Sequence, residues 1–438
     1  MMRCAFSPAG WLCAAVFAAT LPACSSSRGE SQRAPTESVP VGPVISLGQP
    51  DNESRGVSAA ASGDRVVAVW AAIKDGSTDI QAVTSEDAGA TFSAPVRVND
   101  LPGDARVNGE QPPRVAVAGL HVVVVWQSRR TGQTEVRAAR STDGGRSFTK
   151  AVTVHASGLT GSRGWSSVAV APSGEAHLTW LDTRNGAVPE KQAAAAAGTH
   201  QHGSSSTRQD VFHAVWPLEG EPVEGTVTTS VCFCCKTSTV VSRDGATLAA
   251  FRHIYPTNLR DMAVARSAGG DHTFDVPVRV SQDGWELTGC PEDGPALAVD
   301  DSNLVHIAWP TITGPDASHK GVFYAYSADV GRSFAPRIRL DEGTGVKHAQ
   351  HPQLAAAGKG AVVVWDESSA SGTRIRARVV ITNGRGDKSP RLSPVVAVSD
   401  PGSVTYPAVA ATTKGYVVFW TENIESGSGI RARRFNLH

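Results

Sequence analysis

The chain is poor in the residues that usually mark a reactive or cation-rich protein. Its formal net charge is zero, with 41 basic side chains against 41 acidic ones and no basic block among them. That balance counts against nucleic acid as a partner, since phosphate recognition needs clustered Lys and Arg. The long apolar run at the N-terminus is short for a membrane span and gives way at once to polar residues, which excludes a transmembrane helix there in favour of a secretory signal. Cysteine occurs only seven times, yet three of those thiols crowd into "VCFCCK" at 231–236. Aromatic residues are 6 % of the chain, so those that recur at a fixed spacing stand out.

The N-terminal run ends in Leu21-Pro22-Ala23-Cys24, small residues closing on a cysteine. This resembles the lipobox of bacterial lipoproteins and implies acylation of Cys24. Residues 1–23 are then a lipoprotein signal peptide, and 24–41, rich in Ser, Pro and charge, are the lipidated cysteine and a flexible tether. The expected location is the bacterial cell envelope, lipid-anchored at the outer membrane and facing the periplasm or the cell surface. Export into an oxidising compartment leaves Cys232, Cys234, Cys235 and Cys290 in the body of the chain, which points to disulfides or a metal site rather than free reactive thiols.

Residues 42–438 repeat. Valine-rich runs close on Trp70, Trp126, Trp180, Trp309, Trp365 and Trp420, with Phe251 in the corresponding place between Trp180 and Trp309. The steps are 56, 54, 71, 58, 56 and 55 residues, the long one carrying an Ala-, His- and Ser-rich insertion at about 186–209 with His200 and His202. Each unit reads as short β-branched runs separated by Gly, Asp and Ser turns, four strands to a unit. The expectation is an all-β β-propeller of four-stranded blades. Seven blades are counted, or six if Phe251 is not a repeat marker. The last unit has three strands, so "GPVISLG" at 42–48 is expected to supply its fourth and close the ring. One closed domain is expected to act as a monomer.

Three turns share a finer pattern, Ser-x-Asp-x-Gly-x-Ser/Thr-Phe: Asp87, Gly89 and Phe92; Asp143, Gly145 and Phe148; Asp329, Gly331 and Phe334. Asp caps backbone amides, Gly takes a positive φ, and the ring anchors the turn. A degraded copy is "SAGGDHTF" at 267–274. The pattern resembles the Asp-box, or BNR repeat, of the sialidase (neuraminidase) superfamily, whose propellers carry these turns on the face away from the active site. The resemblance implies glycan recognition, and glycoside hydrolysis of exo-sialidase type if the catalytic set is present. By that resemblance Arg55 stands near the family's first arginine, Tyr406 is a candidate nucleophile with Glu422 or Glu367 as its partner, and Asp75 or Asp104 is a candidate acid. The family's Arg-Ile-Pro is here Arg55-Gly56-Val57, and no arginine triad is evident.

The opposite face gathers the loops leading into each first strand and those after each second strand. Its densest patch combines Arg252, His253, Tyr255, Arg260, Asp261, Trp285, Glu292 and Asp293, where forked guanidinium groups and aromatic faces suit an anionic or sugar ligand. The thiols Cys232, Cys234, Cys235 and Cys290 fall at the same mouth. They make either an inter-blade disulfide, Cys290 with one of the cluster and Cys232 in a second bridge, or a copper or zinc site with His253, His348 or His351. Three functions follow: an envelope-anchored glycan-binding propeller, a non-catalytic metal-binding lipoprotein, and a scaffold for another envelope protein.

Overall fold

In a computed structural model the described residues run from 41 to 435, apart from 50–51, 130–131, 159, 187–208, 233–234, 269–271, 287–292, 314–318, 343–347, 359, 384–389 and 426. The expected signal and most of the tether, with Cys24, lie outside them, as do Cys234, Cys290, Glu292 and the His200/His202 insertion. The described chain is built of strands, with a single 3-10 turn at Pro256–Asn258.

The repeat markers are the physical reason. Trp70, Trp126, Trp180, Phe251, Trp309, Trp365 and Trp420 are all buried, at most 2 % exposed, and each sits on the second strand of its unit. Those strands are apolar on both faces, as in Val66–Trp70, because a sheet covers each side. The first unit orders as Glu53–Ser62, Arg65–Lys74, Ser77–Ser85, Val96–Arg97, antiparallel throughout. The others follow this plan, and most of their outermost strands pair over just two residues, shorter than the apolar pattern implies. The fifth and sixth units merge into one nine-stranded sheet through a single parallel bridge, Lys320 with His348. The segment Val41–Leu47 pairs with Gly427–Phe435, Leu47 opposite Ile430 and Val44 opposite Arg433, and thus lies beside the last strand of the chain. The fold is a β-propeller.

The three Asp turns are built alike. Ser85 Oγ receives the Gly89 amide at 2.8 Å, and Asp87 Oδ1 receives the amides of Ala90 and Thr91 at 3.0 and 2.9 Å. The same bonds recur around Asp143, and those from the Gly331 and Ser333 amides recur around Asp329. Hydrogen bonds from the Thr91 hydroxyl and amide hold the Asp87 carboxyl far below the usual range. The anchoring ring reaches further than its own sheet: Phe92 meets Phe419 of the last unit edge-on at 5.9 Å. Gly331 has φ +85, and a Cβ there would lie 2.6 Å from Leu248 of the preceding unit. These turns therefore join neighbouring sheets.

Candidate functional site

At the far end of the sheets four first strands share a distortion. Pairing slips between Arg55 and Ser58, Gly164 and Ser167, Gln350 and Gln353, and Thr405 and Ala408. Inside each slip one residue takes a positive φ: Gly56 at 66°, Trp165 at 49°, His351 at 53° and Tyr406 at 51°. Glycine does this freely; large side chains do it at a cost, and His351 and Tyr406 each stand before a proline, which ordinarily favours extended backbone. A bulge of this kind re-aims a side chain. Here it brings residues from distant units together.

His351 is the centre. Its Nδ1 lies 2.7 Å from Asp366 Oδ2 and its Nε2 lies 2.9 Å from Glu110 Oε1. Burial disfavours a charged ring, but the Asp366 charge and hydrogen bond, with Glu110 and Asp293 beyond, outweigh it and raise the imidazole to about 9. His351 is thus an imidazolium gripped by two carboxylates. The Tyr406 ring lies over it, centroids 4.4 Å apart. Burial first, then the negative charges of Glu110 and Asp366 and a hydrogen bond to Glu110, push the Tyr406 phenol far above its usual value, so its proton stays on in the resting state. Asp366 Oδ2 also receives the Thr405 hydroxyl at 2.9 Å and the Tyr406 amide at 3.0 Å. Behind them the buried Asp293 accepts the His351 amide at 2.8 Å and faces Lys236 Nζ at 3.3 Å and Lys320 Nζ at 3.4 Å. Burial opposes its charge, but the two lysines and His351 hold the carboxyl far below the usual range. Asp366 Oδ1 is buried and receives no hydrogen bond from the described residues, and Glu110 Oε2 faces the Lys236 ammonium at 3.9 Å, within ion-pair reach and beyond a hydrogen bond. Glu110, Gln111, Trp165 and Lys236 line a small adjoining cavity. The set can donate and accept protons at one point and leaves Asp366 Oδ1 as an acceptor for a hydroxyl group.

Tyr406 is where the sequence placed it, but its partner differs. The carboxylate beside it is Glu110; Glu422 is bound to Arg431 at 2.6 Å and Glu367 to Arg376 at 2.6 Å. Arg55 is paired with Glu53, also at 2.6 Å, on a partly exposed strand. Asp104 is buried against Ser128 and Trp126, and Asp75 occupies an exposed turn.

The expected ligand patch divides. Arg252 is 1 % exposed, donates to the Arg260 and Pro310 carbonyls, and stacks on buried Trp285 at 4.5 Å. Asp261 is fully buried against Arg279, which also covers the Tyr255 ring at 4.5 Å. Tyr255 in turn meets His253 edge-on at 4.8 Å. Arg252 and Trp285 stack in the interior and Asp261 is held by Arg279, while His253 and Tyr255 are half-buried, the His253 Nδ1 and the Tyr255 hydroxyl having no hydrogen-bond partner among the described residues; Asp293 belongs to the His351 cluster. Sequence reading missed this because residues spaced for a surface can equally fill a gap between sheets. It also passed over Glu110, Asp366 and Lys236. The available signal was the recurring "HP" and "YP" at matching points of two repeats.

Cys232 and Cys235 are buried and unbridged, their sulfurs 3.1 Å apart, and Arg260 Nη1 lies 3.2 Å from Cys232 Sγ. The Cys235 contact, then Arg252 and Arg260, lower the Cys232 thiol to about 6 against the pull of burial. The proposed copper or zinc set does not assemble among the described residues. His351 has both nitrogens on carboxylates, and no group of three or more His, Cys, Asp or Glu is arranged to hold a metal ion.

No family model matches the chain, and no curated protein matches its sequence. Solved structures do match in fold. A PL25 ulvan lyase aligns at 9 % identity over 90 % of this chain and 96 % of its own, with a TM-score of 0.53. Polysaccharide lyase Uly1 aligns at 11 % identity over 90 % and 92 %, TM-score 0.52. A protein of unknown function from Dyadobacter fermentans aligns at 12 % identity over 92 % and 100 %, TM-score 0.52. Identities this low establish the architecture alone.

Proposed function

We propose that this chain is an exported, lipid-anchored propeller of seven sheets closed into a ring, which binds a glycan at the channel mouth and acts on it through Tyr406, Glu110 and His351. The ring is supported by contacts between first strands, which touch in chain order from Glu53–Ser62 to Val404–Thr412, the last touching the first. The three Asp turns are Asp-boxes in this reading, and Cys24 carries the lipid.

The observation that carries the function is the His351 cluster: a strained backbone presents an imidazolium, a phenol and a carboxylate to one point, with one buried acceptor, Asp366 Oδ1, left over. Groups that perturb one another at a mouth are a recurring property of active sites. In a hydrolytic reaction Glu110 takes the phenol proton as the Tyr406 oxygen attacks the anomeric carbon. The glycosidic C–O bond breaks and its oxygen leaves with the Nε2 proton of His351 once Glu110 has turned to the phenol. Water then displaces the tyrosine, its oxygen bonding to the anomeric carbon and one of its protons passing to His351 Nε2, while Glu110 returns the phenol proton to the Tyr406 oxygen. Lys236 and Lys320 give the site cations to set against an acidic sugar.

Two fold neighbours are named as polysaccharide lyases, one of them bound to -[GlcA(1-4)Rha3S]-. A uronate-containing polysaccharide is therefore the second substrate class to test, with β-elimination as its chemistry. Wild-type protein and Tyr406→Phe are incubated with sialosides and with uronate polysaccharides. Free sialic acid reports hydrolysis, and the ultraviolet absorbance of an unsaturated uronate reports elimination. Turnover in the wild type that the variant lacks supports the reading; equal turnover in both removes Tyr406 from it.

A further inference from the structure

Each of the seven first strands gives two neighbouring residues to a cavity of about 120 Å³ between them. Its wall is Ser, Thr, Gln, Ala, Val and Leu, and a single lining side chain is charged, Arg114. A channel wall with a lone cation has a definite sign. Arg114 makes no ion pair among the described residues; its contact is a long hydrogen bond to Gln353 Oε1 at 3.5 Å. Desolvation, with no carboxylate to offset it, lowers the guanidinium to about 10. Arg114 is half-buried and also borders the smaller cavity beside Glu110, yet no carboxylate pairs with it among the described residues.

The wall also offers donors. Ser58 Oγ receives the Val115 amide at 3.3 Å and Ser238 Oγ receives the Leu297 amide at 2.9 Å, so each hydroxyl accepts from the neighbouring strand. Their own protons have no acceptor among the described residues. Ser167 differs, since it donates to Thr239 at 2.7 Å. One cation and two unspent hydroxyl protons, with no acidic side chain on the wall, bias the chamber toward donors. Its volume holds a halide with a few waters, at roughly 30 Å³ for each water.

We propose that this cavity is a binding site for a small inorganic anion of halide size, held by Arg114 with Ser58 and Ser238. The anion neutralises the one unpaired charge at the centre of the sheets and ties three first strands together through a common ligand. The site does not depend on the glycan reading, because none of Tyr406, His351 and Glu110 lines this cavity.

Bromide replaces chloride in crystals of the full chain, and an anomalous difference map is computed. The expected result is a peak within hydrogen-bond reach of the Arg114 guanidinium. A second measurement follows melting temperature against chloride at constant ionic strength made up with gluconate. Wild type is expected to gain stability as chloride rises, and Arg114→Gln to show no dependence. A cavity without a bromide peak overturns the proposal, as does an equal chloride response in both proteins. The bromide map on wild type decides the matter even where the variant fails to fold.

Discussion

Tyr406 and His351 occupy backbone conformations that large residues avoid, and both are held there by Asp366, which binds one through its amide and the other through its ring. Removing the phenol oxygen leaves that frame intact. Tyr406→Phe is expected to keep its melting temperature within a degree or so and to lose about 100-fold or more in turnover, measured by product release. His351→Gln takes the cation from between two buried carboxylates and is expected to cost about 3–5 kcal/mol in denaturant unfolding. Two histidines set the pH dependence with opposite signs. His351 is raised to about 9 from 6.5, so its contribution is complete below about 6.5 and disappears as pH rises through 9. His213 is lowered to about 3 by burial and by His177 and His272, so the unfolded chain takes up its proton first and stability falls as pH drops below 6.5. Stability measured across pH is expected to peak near 6.5 and to lose its alkaline slope in His351→Gln. At this scale the sequence singled out Tyr406 but not the groups that surround it: Glu110 and His351 are 241 residues apart, and nothing local marks them as neighbours.

The elements carry a repeated device at each end. At one end the Asp turns cross to the adjoining sheet, so Gly331→Ala meets both the positive φ and the Leu248 methyl group, and is expected to lose about 1–3 kcal/mol in thermal or denaturant unfolding. At the other end the bulges aim side chains at the mouth. The turns were legible because Ser, Asp, Gly and Phe must stand at fixed spacing to make their bonds. The bulges were not, since Gly56, Trp165, His351 and Tyr406 share a conformation and no chemistry. The loop that holds Cys232 and Cys235 belongs with the elements too. Their sulfurs are within reach of a bond, and the export proposed above would bring them to an oxidising compartment. Peptide mass spectrometry of unreduced protein is expected to find Cys232 linked to Cys235, with a mass lower by a pair of hydrogens; free alkylation of both in denatured, unreduced protein contradicts this. Arg252, Trp285 and Asp261 nearby were read from sequence as part of a ligand surface and are buried, because Arg and Trp serve an interior stack as well as an exposed one.

For the whole molecule, the tryptophan spacing carried the architecture. A large aromatic at the same depth of each second strand has to be covered on both faces, and repeating that requirement along the chain stacks sheet beside sheet. The strand Val41–Leu47 completes the last sheet, pairing with Gly427–Phe435 across nearly the full length of the chain. Deleting Val41–Leu47 is expected to lower the melting temperature by several degrees, while a deletion of equal length within 24–40 changes it little. The spacing could not say which loop residues meet, because that depends on small rotations between sheets that no repeat length encodes. The claim on which the account rests is that those rotations assemble one working centre from three distant segments. Its most direct test is turnover and binding of acidic glycans by wild type, Tyr406→Phe and Glu110→Gln side by side. The account predicts product from wild type, retained binding with little product from both variants, and equal folding in all three. Wild type that neither binds nor cleaves any acidic glycan, or variants that match it, would contradict the account.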